Sequence, residues 1–160
     1  MELRVGIGID VHPWEEGREF YLGGIKIPYP LGLAGHSDGD VLIHALMDAL
    51  LGSLGLGDIG EYFPPSDEKL KGISSIKLLK RVMGEIKKKR GEVLNVDAVV
   101  MMEEPMITDY KQAMKEVISG ELEISPSQIN IKATTCEGLG FVGKKKGVVS
   151  VVTVMVRKND

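Results

Sequence analysis

The chain has 160 residues, 43% of them hydrophobic and 27% charged, with a formal net charge of -3. That length suits one compact domain, and the acidic balance argues against a nucleic-acid-binding surface. A lone cysteine, Cys136, excludes an internal disulfide, and no apolar run approaches the roughly 20 residues of a membrane-spanning helix. The opening stretch MELRVGIGID carries charge at once, so no signal peptide is expected. The expectation is a single domain over 1–160, cytoplasmic, with neither nucleic acid nor membrane as partner.

In chain order, Leu3 to Ile9 alternates apolar residues with Arg4, Gly6 and Gly8, as a strand does. The glycines point to close backbone approach. Asp10 to Arg18 reads as a polar connector, and Phe20 to Ile27 as a second strand ended by Pro28 and Pro30. Ala34 to Asp40 is turn-rich and leads into a helix over Val41 to Leu51, capped by Ser37 or Asp38, with one apolar face. Gly52 to Phe63 is glycine-rich and irregular, and Pro64-Pro65-Ser66-Asp67 reads as an exposed loop.

Ser74 or Ser75 starts a second helix that runs to about Lys89 and ends in positive charge. Val93 to Met102 is a valine-rich strand, and Asp109 to Ile118 a third helix. Ser125-Pro126-Ser127-Gln128 fits a capping box. Ile129 to Thr134 and Val148 to Val156 are the last strands. The order predicts an α+β fold: a mixed β-sheet with helices packed on one face. Val148 to Val156 is apolar almost throughout, so a second subunit is expected to cover the opposite face.

Asp10-Val11-His12 leaves the first strand directly. In extended chain, residues two apart point the same way, so Asp10 and His12 can ligate one ion together. His44 lies on the first helix, in a polar stripe with Asp40 and Asp48 at four-residue spacing. One carboxylate and two imidazoles suit Zn²⁺ with a fourth position open, and also suit Mn²⁺, Co²⁺ or Fe²⁺.

Asp10-Val11-His12, His36-Ser37-Asp38-Gly39-Asp40, His44-Ala45-Leu46, Asp58-Ile59-Gly60, Lys132-Ala133-Thr134-Thr135 and Glu137-Gly138-Leu139-Gly140-Phe141 occur in this order. Together they resemble the 2-C-methyl-D-erythritol 2,4-cyclodiphosphate synthase family over essentially the whole chain. The resemblance implies a phosphorus-oxygen lyase of the non-mevalonate isoprenoid route. Its substrate is 4-diphosphocytidyl-2-C-methyl-D-erythritol 2-phosphate, whose 2-phosphate attacks the β-phosphorus and expels CMP. It also implies a homotrimer with active sites between subunits.

By position, Asp10, His12 and His44 match the family's zinc ligands. Glu137 matches a ligand of a second cation, Mg²⁺ or Mn²⁺. His36 and Thr135 match the groups that stabilise the transition state. Substrate contacts fall on Ser37, Asp58, Ile59, Gly60, Phe63, Asp67, Phe141 and Lys144. The cytidine contacts fall on Met102, Glu103, Glu104, Pro105, Met106, Ile107 and Thr108, with Thr134 and Thr135 at the phosphates. Pro65, Met106, Cys136 and Lys144 stand where the family often has an acidic residue, lysine, threonine and arginine. Two other readings fit the ligand set: a zinc-dependent nucleotide phosphohydrolase, and a non-catalytic trimeric isoprenoid-phosphate-binding protein.

Overall fold

A computed structural model describes residues 1–159. Five strands form one mixed sheet in the order β4-β1-β7-β5-β6: β1 (Glu2–Glu16), β4 (Leu31–Leu33), β5 (Gly91–Met101), β6 (Ile129–Thr134) and β7 (Gly147–Lys158). The β5/β6 pair is parallel, which requires a crossover, and the other neighbours are antiparallel. Three main helices pack against the sheet: α1 (Val41–Ser53), α3 (Ser75–Lys88) and α4 (Lys111–Leu122). The α+β class and the mixed sheet expected from sequence are present. No helix among the described residues is long and apolar enough to cross a membrane.

The contact between β1 and α1 positions everything that follows. The even residues of β1 face the helix, and at Gly6 and Gly8 the chain has no side chain to hold it away. A Cβ on Gly6 would lie 1.9 Å from the Ala49 carbonyl oxygen, and one on Gly8 would lie 1.9 Å from that of Ala45. Two strand residues advance about 6.6 Å and four helix residues about 6 Å, so the glycine row and the Ala45/Ala49 row stay in step. The next inward residue of the strand, Asp10, meets His44, the neighbour of Ala45 on the helix.

Five sequence expectations are corrected here. β1 does not stop at Ile9, because Asp10 and His12 continue its inward row while Val11 continues the outward one. Phe20 to Ile27 is a hairpin of β2 (Phe20–Leu22) and β3 (Ile25–Ile27), turned at Gly23-Gly24, whose φ values are +61° and +80°. The cap of α1 is Asp40, not Ser37 or Asp38: its carboxylate accepts from Ile43 N–H at 3.0 Å and from the Gly23 and Gly24 N–H groups at 3.0 and 2.7 Å. Helix α1 is also buried nearly all round rather than on one face, since the sheet, α3 and the hairpin enclose it. The third helix begins at Lys111 instead of Asp109, after a short 3-10 turn. The capping box at Ser125 to Gln128 is present.

Leu3, Val5, Ile7, Ile9 and Val11 make an apolar row on the sheet face away from the helices, with Val5 and Ile7 67% and 62% exposed. Across the ladder Val5 pairs with Met155, Ile7 with Thr153 and Ile9 with Val151. The open apolar face expected on Val148 to Val156 therefore lies chiefly on β1.

Candidate metal and phosphate site

Asp10 and His12 on β1 meet His44 of α1. Asp10 Oδ2 lies 2.7 Å from His12 Nε2 and 3.1 Å from His44 Nδ1, and the two ring nitrogens are 3.1 Å apart. These three residues form the cluster among the described residues that could hold a metal ion. Ligands of a tetrahedral Zn²⁺ sit at about 2.0–2.2 Å from the ion and roughly 3.3 Å from one another, so a small opening of the triangle admits one. His12 Nδ1 faces the Ala34 carbonyl, to which a ring N–H donates; this leaves the Nε2 lone pair of the neutral ring directed at the cluster.

Burial acts to raise the Asp10 pKa, but hydrogen bonds from His12 and His44 and their positive charge hold it down at about 2. Burial acts to lower the His12 pKa, but the Asp10 carboxylate and the Ala34 carbonyl raise it. A carboxylate and two imidazoles held this close are a donor set that suits a divalent transition metal.

The cluster opens on a cavity of about 230 Å³ lined by Asp10, His12, His36, Ser37 and His44, with Met47, Ile59, Gly60, Phe63, Pro65, Leu70 and Leu78 as further walls. The Ala34 to Asp40 loop that carries His36 is tied down by Arg18, whose guanidinium donates to the Gly35 and Ser37 carbonyls at 2.7 Å each. Gly39 holds a φ of +74° there, which permits the tight turn into α1. His36 Nε2 lies 3.2 Å from the Asp67 carbonyl across the cavity mouth.

Of the residues expected at the substrate, Ile59, Gly60, Phe63, Ser37 and His36 line this cavity. Asp58 and Asp67 do not: Asp58 caps the short helix α2 (Ile59–Tyr62) through Glu61 N–H, and Asp67 caps a 3-10 turn through Lys69 N–H. Asp40 and Asp48 of the polar stripe are also structural, Asp48 accepting from Ile59 N–H at 2.8 Å. Sequence reading missed Met47, Pro65, Leu70 and Leu78. Met47 stands three residues after His44 and Leu78 three after Ser75, so helical spacing carried the signal for both.

A second cavity, of about 200 Å³, is lined by Met102, Glu103, Pro105, Met106, Ile107 and Thr108 with Ala133, Thr134 and Thr135. These are the expected cytidine residues except Glu104, whose carboxylate pairs with Lys145 at 2.6 Å. Met102 and Ile107 are buried, so the loop offers chiefly backbone groups there. Glu103 Oε1 accepts from Cys136 N–H at 2.6 Å and joins this loop to the one bearing Thr135 and Glu137. Glu137, Phe141 and Lys144 line neither cavity within one chain.

A family model described as the YgbB family matches residues 3–157. The chain is 51% identical over 157 residues to the 2-C-methyl-D-erythritol 2,4-cyclodiphosphate synthase of Pelotomaculum thermopropionicum, covering 98% of this chain and 96% of that protein. Among solved structures, IspF of Plasmodium falciparum in complex with CDP superposes with a TM-score of 0.86 at 33% identity, covering 99% of this chain and 97% of that one. The bifunctional IspDF of Campylobacter jejuni gives a TM-score of 0.95 at 43% identity, this chain matching 43% of the longer protein.

Proposed function

The chain belongs to the YgbB family, and we propose that its two cavities are the two halves of one cyclodiphosphate synthase site. Its function is that of its relatives, cyclodiphosphate synthesis in the non-mevalonate isoprenoid route, a phosphorus-oxygen lyase reaction. The relatives' names favour neither the phosphohydrolase nor the binding-protein reading.

The substrate is 4-diphosphocytidyl-2-C-methyl-D-erythritol 2-phosphate. An oxygen of its 2-phosphate forms a bond to the β-phosphorus, the bond from that phosphorus to the bridging oxygen breaks, and CMP leaves with the bridging oxygen. The attack is intramolecular, so the protein's contribution is to hold the two phosphates in line and to balance charge. Zn²⁺ or another divalent transition metal on Asp10, His12 and His44 supplies Lewis-acid polarisation of a phosphate oxygen. Glu137 is the residue for a second cation, Mg²⁺ or Mn²⁺, which oxygen ligands suit. His36 and Thr135 donate to the developing phosphoryl charge, Ser37 contacts a phosphate, and Ile59, Gly60 and Phe63 enclose the methylerythritol. Phe141, Lys144, Asp58 and Asp67 complete the substrate contacts, the two aspartates also capping the turns beside the sugar.

The cytidine lies in the second cavity, on a neighbouring subunit's Met102 to Thr108 loop, with Thr134 and Thr135 at its phosphates. This reading needs a homotrimer. The outward row Leu3, Val5, Ile7, Ile9 and Val11 supports it, because a contiguous apolar strip of this kind marks a contact between proteins. The observation that carries the whole reading is the convergence of Asp10 Oδ2, His12 Nε2 and His44 Nδ1 beside His36 and Ser37. CMP release from the substrate tests it: chelator should abolish release and added Zn²⁺ with Mg²⁺ should restore it, whereas release indifferent to chelator would contradict it.

A further inference from the structure

Behind the metal ligands lies a pair, the buried Ser75 and the half-buried Asp38, that the reaction itself does not use. Ser75 opens α3 and is fully buried. Its N–H donates to Asp38 Oδ2 at 2.9 Å, and its hydroxyl donates to Asp38 Oδ1. Asp38 Oδ1 also accepts from Asp40 N–H at 3.1 Å. Asp38 thus joins the loop before α1 to the first turn of α3 and faces three donors.

A serine hydroxyl has one proton, and an ionised carboxylate is an acceptor only. With that proton committed to Asp38, the Ser75 oxygen presents lone pairs to His44 Nε2, 3.0 Å away. Two lone pairs facing each other at that distance repel, so the Nε2–H form suits Ser75, and a cation between Nδ1 and Asp10 Oδ2 removes the like repulsion on the other side of the ring. A neutral imidazole has one N–H, which leaves Nδ1 bare. Nδ1 is the atom 3.1 Å from both Asp10 Oδ2 and His12 Nε2. Ser37 Oγ is also 3.0 Å from Nε2, but its other partner is only the Gly39 N–H at 3.4 Å, so no carboxylate fixes its direction.

We propose that Asp38 and Ser75 are positioning residues for the metal centre: through Ser75 Oγ, Asp38 fixes His44 as the Nε2–H tautomer and turns the Nδ1 lone pair onto the ion site. This rests on the metal reading of Asp10, His12 and His44. Its consequence is that the seating of α3 sets metal affinity, although no residue of α3 touches the ion.

The test has two arms on the full chain. Long-range proton–nitrogen correlation spectra of the Zn²⁺-loaded wild type read which nitrogen of each ring carries the proton. His44 is expected as Nε2–H with a slowly exchanging proton, and an Nδ1–H ring overturns the proposal. In the second arm, Co²⁺ affinity is measured by chelator competition for the wild type, Ser75→Ala and Asp38→Asn. Partners of this kind typically contribute 10- to 100-fold, so both variants should bind Co²⁺ at least about 10-fold more weakly. Folded variants that bind within about twofold of the wild type overturn the proposal while the metal site stands. A wild type that binds no Co²⁺ overturns the metal reading as well. Should the variants fail to fold, the tautomer of the wild type decides alone.

Discussion

Replacing Gly8 by alanine should both destabilise the protein and open its metal site. The new Cβ would lie 1.9 Å from the Ala45 carbonyl oxygen and 2.8 Å from Ala49 N. An unstrained carbon–oxygen contact needs about 3.3 Å, so strand and helix must separate by roughly 1.4 Å. The obstructing atoms are helix backbone, which no rotamer change can move aside. Overpacking costs of about 1–3 kcal/mol are usual, and this case belongs at the upper end. For a chain of this size, about 3 kcal/mol lowers Tm by roughly 6–12 °C. The same separation draws His44, next to Ala45, away from Asp10. Metal sites tolerate only about 0.2 Å of error in ligand distance, so Co²⁺ affinity should fall by more than about 10-fold. Gly52→Ala is the control. It sits on the same helix, its Cβ would meet nothing nearer than the Ile7 carbonyl oxygen at 4.0 Å, and alanine there should be neutral or stabilising by up to about 1 kcal/mol. Calorimetry and chelator competition on both variants check this. A Gly8→Ala protein that melts with the wild type and binds Co²⁺ as tightly would refute the close-packing argument.

Burial, with Asp38 nearby, pushes the Asp40 carboxyl up to about 6 despite three backbone N–H groups that favour its charged form. A raised folded-state pKa means that the native protein holds the proton longer, so Asp40 costs stability as pH rises from about 4 to about 6, by up to about 3 kcal/mol. The stability gap between the wild type and Asp40→Asn in urea should therefore narrow between pH 4 and pH 7, and a constant gap would contradict the assignment. Ile7→Lys places a charge on the open apolar row, and sedimentation should show the trimer proposed for the wild type replaced by monomer; a trimer in both would mean that another face makes the contact. Glu103→Ala removes the carboxylate that holds Cys136 N–H. A hydrogen bond to a charged group contributes about 1.5–3 kcal/mol, so KM should rise roughly 10-fold or more while Co²⁺ affinity is unchanged. An unaltered KM would remove Glu103 from the cytidine site.

The cluster of Asp10, His12 and His44 was legible because its two halves obey simple periods: two residues along a strand for Asp10 and His12, and a helix that returns His44 to the same end. The glycines at 6 and 8 announced close approach, but only the helix opposite shows that Ala45 and Ala49 are their partners. The strand's extent was misread because β1 inverts the usual pattern, with its apolar residues outward and glycine, Asp10 and His12 inward. Asp58 and Asp67, expected at the substrate, each also cap a turn too short to leave a periodic signal, a role that residue spacing does not show. Ser75 gave no sign of its contact with His44, since 31 residues separate them and only the packing of α3 on α1 joins them. Glu137, Phe141 and Lys144 line neither of the two cavities described above.

The most direct test of the account is phosphorus NMR of the protein incubated with 4-diphosphocytidyl-2-C-methyl-D-erythritol 2-phosphate, Zn²⁺ and Mg²⁺. The account predicts cyclic diphosphate and CMP appearing together, both halted by chelator and both lost in His44→Ala. Ring-opened phosphates, or no turnover by folded, metal-loaded protein, would contradict it.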